Sequence, residues 1–372
     1  MSGYILIKPE DLHLYVNEET IAAIDYDQIA FQAASALEKR TIIAKHIPSG
    51  AQKEFKNKTE FWGKSKTKIG GWLGDTNAER ASKNKRPFTK EEFEIIDKQY
   101  PPEDIGHTFQ AAKTKVLGIL KHLRLEKYCG VIGVGKTFRH AFKMPVEYKS
   151  ERLDIKPLQL SETKDYLVEF HNGDVVTVIE ADDELEKYGF QGYKDYKRTG
   201  KFSYIVVSID KDSLHTPSIL FNFYKEDGVF KNPDIILIDE SIGDIWIVDK
   251  GKKKEVKGWG SYWLAYQMLM GDKTDSIRPY QDFDIKFGDI TCFNLLSACK
   301  TQAELFQTVK DTYYSWFPDG VNFTSWDGEE VHMTTDEWIE TIFQLVYMKR
   351  WDNDDTTFES MLQSYISQQE AE

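Results

Sequence analysis

Val175-Val-Thr-Val-Ile-Glu180-Ala-Asp182-Asp183-Glu-Leu-Glu-Lys187 is the stretch that decides how this chain reads. Val175–Ile179 is a β-branched run with the composition of a strand, and Ala181 to Lys187 opens a helix. Three carboxylates are thus delivered at a strand end. The pattern recurs: Tyr204–Ile209 is apolar and runs directly into Asp210-Lys211-Asp212, and Ile21–Ile24 ends at Asp25. A further acidic group, Gly271-Asp272-Lys-Thr-Asp275, follows the helical stretch Tyr262–Met270. Strands alternating with helices, with acids at the strand ends, predict an α/β sheet whose site lies outside the carboxyl ends of its strands.

Working outward, Ile29–Leu37 reads as helix. Phe109, Ala112, Val116, Ile119 or Leu120, and Leu123 recur at helical spacing. Tyr128–Val134, Ser218–Tyr224, Ile235–Ile238 and Ile245–Val248 read as strands, the last two enclosing a turn at Glu240–Gly243. Ser161–Phe170, Phe293–Leu305 and Asp336–Met348 read as helices. Residues 45–104 are polar, basic and punctuated by Pro87 and Pro101-Pro102, which predicts an arch-like insertion. The expected domains are 1–255, a catalytic α/β domain carrying that insertion; 256–310, a helical DNA-binding segment; and 311–372, an acidic helical region.

The 372 residues are 41% hydrophobic and 29% charged, the balance of a globular chain rather than a disordered one. The net charge of −13 argues against nucleic acid until its distribution is read. Lys53–Lys90 holds eleven Lys/Arg against four Asp/Glu, whereas Asp311–Glu372 holds two against fourteen. Phe55, Phe61, Trp62 and Trp72 interleave with the basic residues, as in a strand-contacting surface; a solvated insertion is the equal alternative. Three cysteines without metal-ligand spacing, no run of eighteen apolar residues and no leader pattern point to a cytoplasmic protein.

Taken singly, each acidic pair at a helix start is better read as a cap on the helix dipole. Taken together, Asp25, Glu180, Asp182, Asp183, Asp210, Asp212, Asp272 and Asp275 cannot converge without countercharge. Hard divalent cations bound by oxygen supply it, and two ions roughly 4 Å apart can clamp a phosphodiester displacement.

At these residues the chain resembles the flap-endonuclease family, in particular its bacteriophage 5′→3′ exonucleases. Asp25-Tyr-Asp27-Gln-Ile-Ala-Phe-Gln-Ala resembles the opening metal-binding strand and helix. Thr137-Phe-Arg139-His140 followed by Glu147-Tyr-Lys149-Ser-Glu-Arg152 resembles the "FRH…EYKxxR" signature. Glu180–Asp183 resembles "EADD", Ser208–Asp212 resembles "S/T-x-D-K-D", and Leu269–Ile277 resembles "GDxxDxI". Phe287-Gly288 and the helix after it resemble the hairpin glycine segment.

The likeness spans about residues 20–310. It implies a PIN-like central, mostly parallel sheet flanked by helices, with a helical arch and a helix-hairpin-helix segment. It also implies a 5′→3′ exodeoxyribonuclease, with flap cleavage, that uses two Mg²⁺ or Mn²⁺ ions in phage DNA replication or degradation. By position, Asp25, Glu180, Asp182 and Asp183 would hold the first ion, and Asp210, Asp212, Asp272 and Asp275 the second. Lys149 would engage the scissile phosphate. Lys136, Arg139, Arg152 and Gly288 would contact DNA bearing a 5′ end, whether duplex, nicked or flapped.

Two departures stand out. The family's second strand ends in an Asp before "FR", where Gly130–Lys136 offers only Gly, Val, Ile or Lys, Gly133 being the matching position. Asp27 compensates, water fills in, or the chain is a weakened, DNA-binding derivative. Ser276-Ile-Arg-Pro also replaces a glycine-rich hairpin entry.

An alternative is a P-loop ATPase. Gly130–Thr137 matches GxxxxGK[ST], and Ile235–Glu240 resembles a Walker B strand. Pro145 limits any helix after Lys136 to about two turns. The scattered histidines, the Trp259/Trp263/Tyr266 group and the Asp352–Asp355 run read respectively as surface or core residues, core packing, and a solvated face.

Overall fold

The computed structural model describes residues 3–151, 155–223, 234–251 and 254–371. In chain order, β1 (Ile5–Leu6) and β2 (Ile21–Asp25) precede α1 (Tyr26–Leu37), β3 (Lys39–His46) and β4 (Gln52–Phe55). Then come α2 (Lys58–Trp62), α3 (Gly71–Ser82), β5 (Phe93–Tyr100), α4 (Gly106–Leu123) and β6 (Lys127–Gly133). These are followed by α5 (Leu160–Phe170), β7 (Gly173–Val176), α6 (Ala181–Thr199), β8 (Tyr204–Val207), β9 (Ser218–Asn222) and β10 (Asp234–Ile238). The last part comprises β11 (Asp244–Asp249), β12 (Lys254–Trp259), α7 (Ser261–Met270), α8 (Asp289–Leu296) and α9 (Gln302–Trp316). It closes with β13 (Val321–Thr324), β14 (Glu330–Met333), α10 (Thr335–Val346) and α11 (Phe358–Ala371).

The chain divides into two compact units: 1–29 with 114–154 and 166–372, and 30–113 with 155–165. The first is built on a seven-stranded sheet in the order β1-β10-β9-β8-β2-β6-β7. From β9 to β7 all pairings are parallel, while β10 and β1 join antiparallel at the edge. The expected α/β class, a central mostly parallel sheet flanked by helices, is what the structure contains. Ala22–Ile24 and Ile205–Val207 are buried on both faces, which is why these strands read as unbroken apolar runs. Strand β2 sits at the middle, with β6 on one side and β8 on the other, so the connections diverge there. That is the switch point at which α/β sheets open a crevice. Gly130 is obligatory in β6, because a Cβ there would lie 2.0 Å from the Tyr26 ring, whose hydroxyl donates to the carbonyl of His171 at 2.6 Å.

Helix α7 is buried on every face, from Ser261 to Leu269, and packs against α8, α9 and α10, which explains its lack of a polar stripe. The acidic C-terminal region contributes to this core: Trp338, Phe343 and Tyr347 are fully buried. Several expectations change here. Phe293–Leu305 is not one helix. It breaks after Leu296, and Thr301 caps α9 through a capping box with Glu304. Ile235–Ile238 and Ile245–Val248 do not pair; β10 lies in the main sheet and β11 pairs with β12. Asp354 is buried and accepts from Arg350 N, Thr356 N and the Tyr347 hydroxyl, so the Asp352–Asp355 run is not simply a solvated face. The segment expected as helix-hairpin-helix holds α7 and α8, joined by 271–288, within which Asp272 and Ile277 form an antiparallel bridge.

The second unit contains most of the basic insertion. It is a three-stranded antiparallel sheet, β4-β3-β5, with α2 and α3. Phe55, Phe61 and Leu73 form its core with Ile42 and Ala44, and Trp62, Trp72, Phe88 and Phe93 pack around them. The interleaved aromatics are therefore spent mostly on this core, while the lysines stay outside. No helix among the described residues is long and apolar enough to cross a membrane.

Candidate active site

Asp25 closes β2 and is 2% exposed, and its Oδ1 accepts from Gln28 N at 3.1 Å. Burial, the Asp27 carboxylate and then Asp210 push its carboxyl up to about 8. Asp182, in the first turn of α6, is driven well above the carboxylate range by burial and by Asp210, Asp25 and Glu180. Asp210 follows β8, and its Oδ1 accepts from Asp212 N at 3.0 Å. Burial raises it, with Asp275 and Asp272 adding to the effect. Asp212 is raised by burial, Asp210, Asp272 and Asp275, and accepts from Gln267 Nε2. Seven carboxylates from four chain segments thus share one field: Asp25, Glu180, Asp182, Asp210, Asp212, Asp272 and Asp275.

Lysines enter this field. Lys149 has φ +60, and its backbone N–H donates to the carbonyl of Asp275 at 2.9 Å. That turns the side chain so that Nζ donates to Glu180 Oε1 at 2.6 Å and stands 3.6 Å from Asp275 Oδ2. Lys211 Nζ is 2.7 Å from Asp272 Oδ2. The Tyr148 hydroxyl lies 3.0 Å from Asp275 Oδ2 and 3.2 Å from Glu180 Oε1, so its one proton ties the two acids together. Burial, then Glu180 and Asp275, hold that phenol protonated. Tyr148 and Lys211 were not singled out by sequence reasoning. Their only signal was adjacency to Lys149 and position between two aspartates.

Asp183 and Arg139 are brought together in a way the spacing did not foretell. Arg139 is fully buried and binds Asp183 in a fork, with bonds of 2.6 and 2.8 Å. It also donates to the carbonyls of Leu345 and Tyr347. Asp183 further accepts from Lys349 N and Glu180 N. Burial works against its charge, but the guanidinium beside it holds its carboxyl below the usual range. Arg139, expected at a DNA strand, is therefore shielded from solvent, and Asp183, expected on a metal, is occupied by Arg139.

Gly133 leaves the end of β6 without a carboxylate, and the structure brings Asp27 there: Gly133 N donates to Asp27 Oδ2 at 2.9 Å. A Cβ at 133 would meet that same oxygen at 3.4 Å. Lys136 is exposed and pairs with Glu147 at 2.9 Å. Gly288 is the extended N-cap of α8 with open space around its Cα. Arg152 lies outside the described residues.

The P-loop reading is overturned. Gly130–Gly133 pair within β6, and residues 138–141 form a single 3₁₀ turn, so no helix N-terminus follows Lys136 to cradle phosphate. The strand after which Asp239 falls, β10, runs antiparallel to β9 rather than parallel as a Walker B strand would.

No family description matches this chain, and no curated protein matches it. Among solved structures, it is similar to the bacteriophage T5 flap endonuclease in a pseudo-enzyme–product complex with DNA and metal ions. That match has 11% identity and a TM-score of 0.38, over 70% of this chain and 90% of that one. A mutant T5 5′-exonuclease matches at 11% identity and TM-score 0.32, over 64% and 93%. The T5 5′-exonuclease with bound zinc matches at 10% and 0.33, over 72% and 92%. At such values the likeness carries no functional weight, and the site is read from its own geometry.

Proposed function

We propose that this chain is a divalent-metal-dependent nuclease that hydrolyses DNA phosphodiester bonds from a 5′ end. One observation carries the reading: Asp25, Asp182 and Asp210 meet beyond the central strands with their carboxyls driven upward, partly by one another. Such a group is unfavourable alone and is relieved by added positive charge.

Among the described residues no three His, Cys, Asp or Glu side chains stand in ligand positions as they are. The donor chemistry nevertheless fits Mg²⁺ or Mn²⁺, being all oxygen, with no His or Cys in the group. Asp25, Glu180 and Asp182 would hold one ion, and Asp210, Asp212, Asp272 and Asp275 the other. Bound ions would supply charge stabilisation to the attacking and leaving oxygens of the phosphodiester. Lys149, now paired with Glu180 and Asp275, would turn to a phosphate oxygen as charge develops on it. Tyr148 would keep Glu180 and Asp275 in register. Arg139 and Asp183 would act as positioning residues for the first turn of α6. Lys136, Gly288 and Arg152 would bind the DNA backbone, giving little base preference.

The test is cleavage of 5′-labelled duplex and flap DNA with Mg²⁺, Mn²⁺ or EDTA, using wild type and Asp210→Ala. Metal-dependent short 5′ products, lost in the variant, are expected. Salt-sensitive binding without cleavage in either metal would sink the enzyme reading. It would leave a DNA-binding protein, the reading favoured by the carboxylate missing at Gly133.

A further inference from the structure

The second unit carries a loop whose positive charge no acid among the described residues answers. Between Glu60 and Asp75 the sequence is Phe-Trp-Gly63-Lys64-Ser-Lys66-Thr-Lys68-Ile-Gly70-Gly-Trp72-Leu-Gly, with lysines at alternate positions and no acid. Lys64, Lys66 and Lys68 are exposed, and none makes an ion pair among the described residues. Elsewhere in the same unit Lys45, Lys83 and Arg86 each face an acid, at Glu94, Glu79 and Glu92. A surface that is only solvated intersperses both signs. Here one sign stands alone, in a chain whose net charge is −13.

The loop is also held in shape. Gly70 N donates to the Trp62 carbonyl at 2.9 Å, closing residues 63–70 at their base. Gly63 permits that closure: its φ is +85, and a Cβ there would stand 3.1 Å from Gly70 Cα. Within the loop, Ser65 Oγ accepts from Lys68 N at 3.0 Å. Lys90 Nζ donates to the carbonyls of Ser65 and Lys66, both at 3.3 Å, and so sets a fourth cation against the loop. The lysines are thus presented on an ordered scaffold, which lowers the entropic cost of engaging a partner. The neighbouring aromatic faces are already covered, with Lys90 over Trp62 at 5.2 Å and Lys53 over Trp72 at 4.8 Å. Bases find no open ring there to stack on, so the loop suits phosphates rather than bases.

We propose that Lys64, Lys66 and Lys68 grip the phosphate backbone of duplex DNA, giving the second unit an anchoring surface in addition to the carboxylate site. A duplex is favoured over a single strand because its phosphate charge is denser and the loop offers no stacking. The inference rests on the DNA part of the reading above and not on cleavage.

The test is fluorescence anisotropy of labelled duplex and single-stranded DNA in EDTA over a range of salt concentrations. The proteins are wild type, Lys64→Gln/Lys66→Gln/Lys68→Gln and Lys194→Gln/Lys197→Gln/Arg198→Gln. The last removes the same charge from exposed positions near the end of α6. In the loop variant, duplex affinity at about 0.1 M salt should fall about tenfold or more, and the slope of log affinity against log salt should become shallower by about 2–3, the value for three lost phosphate contacts. The α6 variant should stay near wild type. Duplex affinity and slope unaltered in the loop variant, an equal loss in the α6 variant, or a loss confined to single strands overturns the proposal. So does a wild type without salt-sensitive duplex binding, or a loop variant that loses only binding to anionic phospholipid vesicles, which would reassign the loop to a membrane surface. Wild type that binds through the loop yet does not cleave in Mg²⁺ sinks the nuclease reading and leaves this one standing.

Discussion

Replacing Asp25 with asparagine should make the metal-free protein more stable at pH 8, with a smaller gain near pH 5. The Asp25 carboxyl sits at about 8 against an ordinary 3.8, chiefly through burial and then through Asp27. The folded state therefore keeps a proton that the unfolded chain releases above its ordinary value. By linkage, stability is lost as pH rises between the two values. A displacement of about four units at 1.36 kcal/mol each gives a ceiling of about 6 kcal/mol. Proton sharing with Asp182 and Asp210 brings the expected gain down to roughly 1–3 kcal/mol. Asparagine keeps an oxygen to accept from Gln28 N, and its amide can donate to the neighbouring carboxylates. In a chain this large, that gain corresponds to a melting shift of roughly 1–4 °C. Differential scanning fluorimetry in EDTA from pH 5 to pH 8.5 reads it directly. Mg²⁺ should narrow the gap, because the cation relieves wild type but finds a poorer ligand set in the variant. A variant no more stable at pH 8, or stabilised equally at both pH values, would refute the idea that Asp25 is held in a repulsive field.

Other substitutions probe other parts of the structure. Arg139→Met strands the buried Asp183 charge and should cost about 3–5 kcal/mol, seen as a lower melting temperature that Arg139→Met/Asp183→Leu partly restores. Lys149→Met should slow metal-dependent cleavage at saturating DNA while leaving the melting curve close to wild type, measured by single-turnover kinetics. Lys136→Ala removes an exposed pair with Glu147 and one proposed contact to the DNA backbone, so cleavage should weaken yet persist, and ATP hydrolysis should be absent before and after, checked by phosphate release. Phe61→Ala empties the core of the second unit and should destabilise it by about 3–5 kcal/mol, visible as earlier proteolytic cleavage between residues 30 and 113.

The elements around the site were legible because their signals are local. Apolar runs ending in an acid marked β2 and β8, and three- and four-residue spacing marked α4. A strand's side-chain period and a helix's apolar stripe are properties of neighbouring residues, so the order of the chain suffices to read them. The same locality misled where a pattern fits two partners. Ile235–Ile238 and Ile245–Val248 have the look of a hairpin, yet β10 finds β9 and β11 finds β12. The aromatics between Phe55 and Trp72 look like a stacking surface until Phe93, from β5, closes a core over them.

What the order of residues determined by itself was that acids would stand at the ends of strands and helices. What only the tertiary structure decided was which acids keep their charge. Asp183 is held ionised because Arg139 is buried beside it, fixed by carbonyls at Leu345 and Tyr347 some two hundred residues further along. Asp25 and Asp182 have no such partner and are pushed toward their protonated forms. Asp27 reaches the bare backbone of Gly133 only because β2 and β6 pair in parallel at that register. A carboxylate's state depends on the charges and solvent within a few ångströms, and folding alone brings those together.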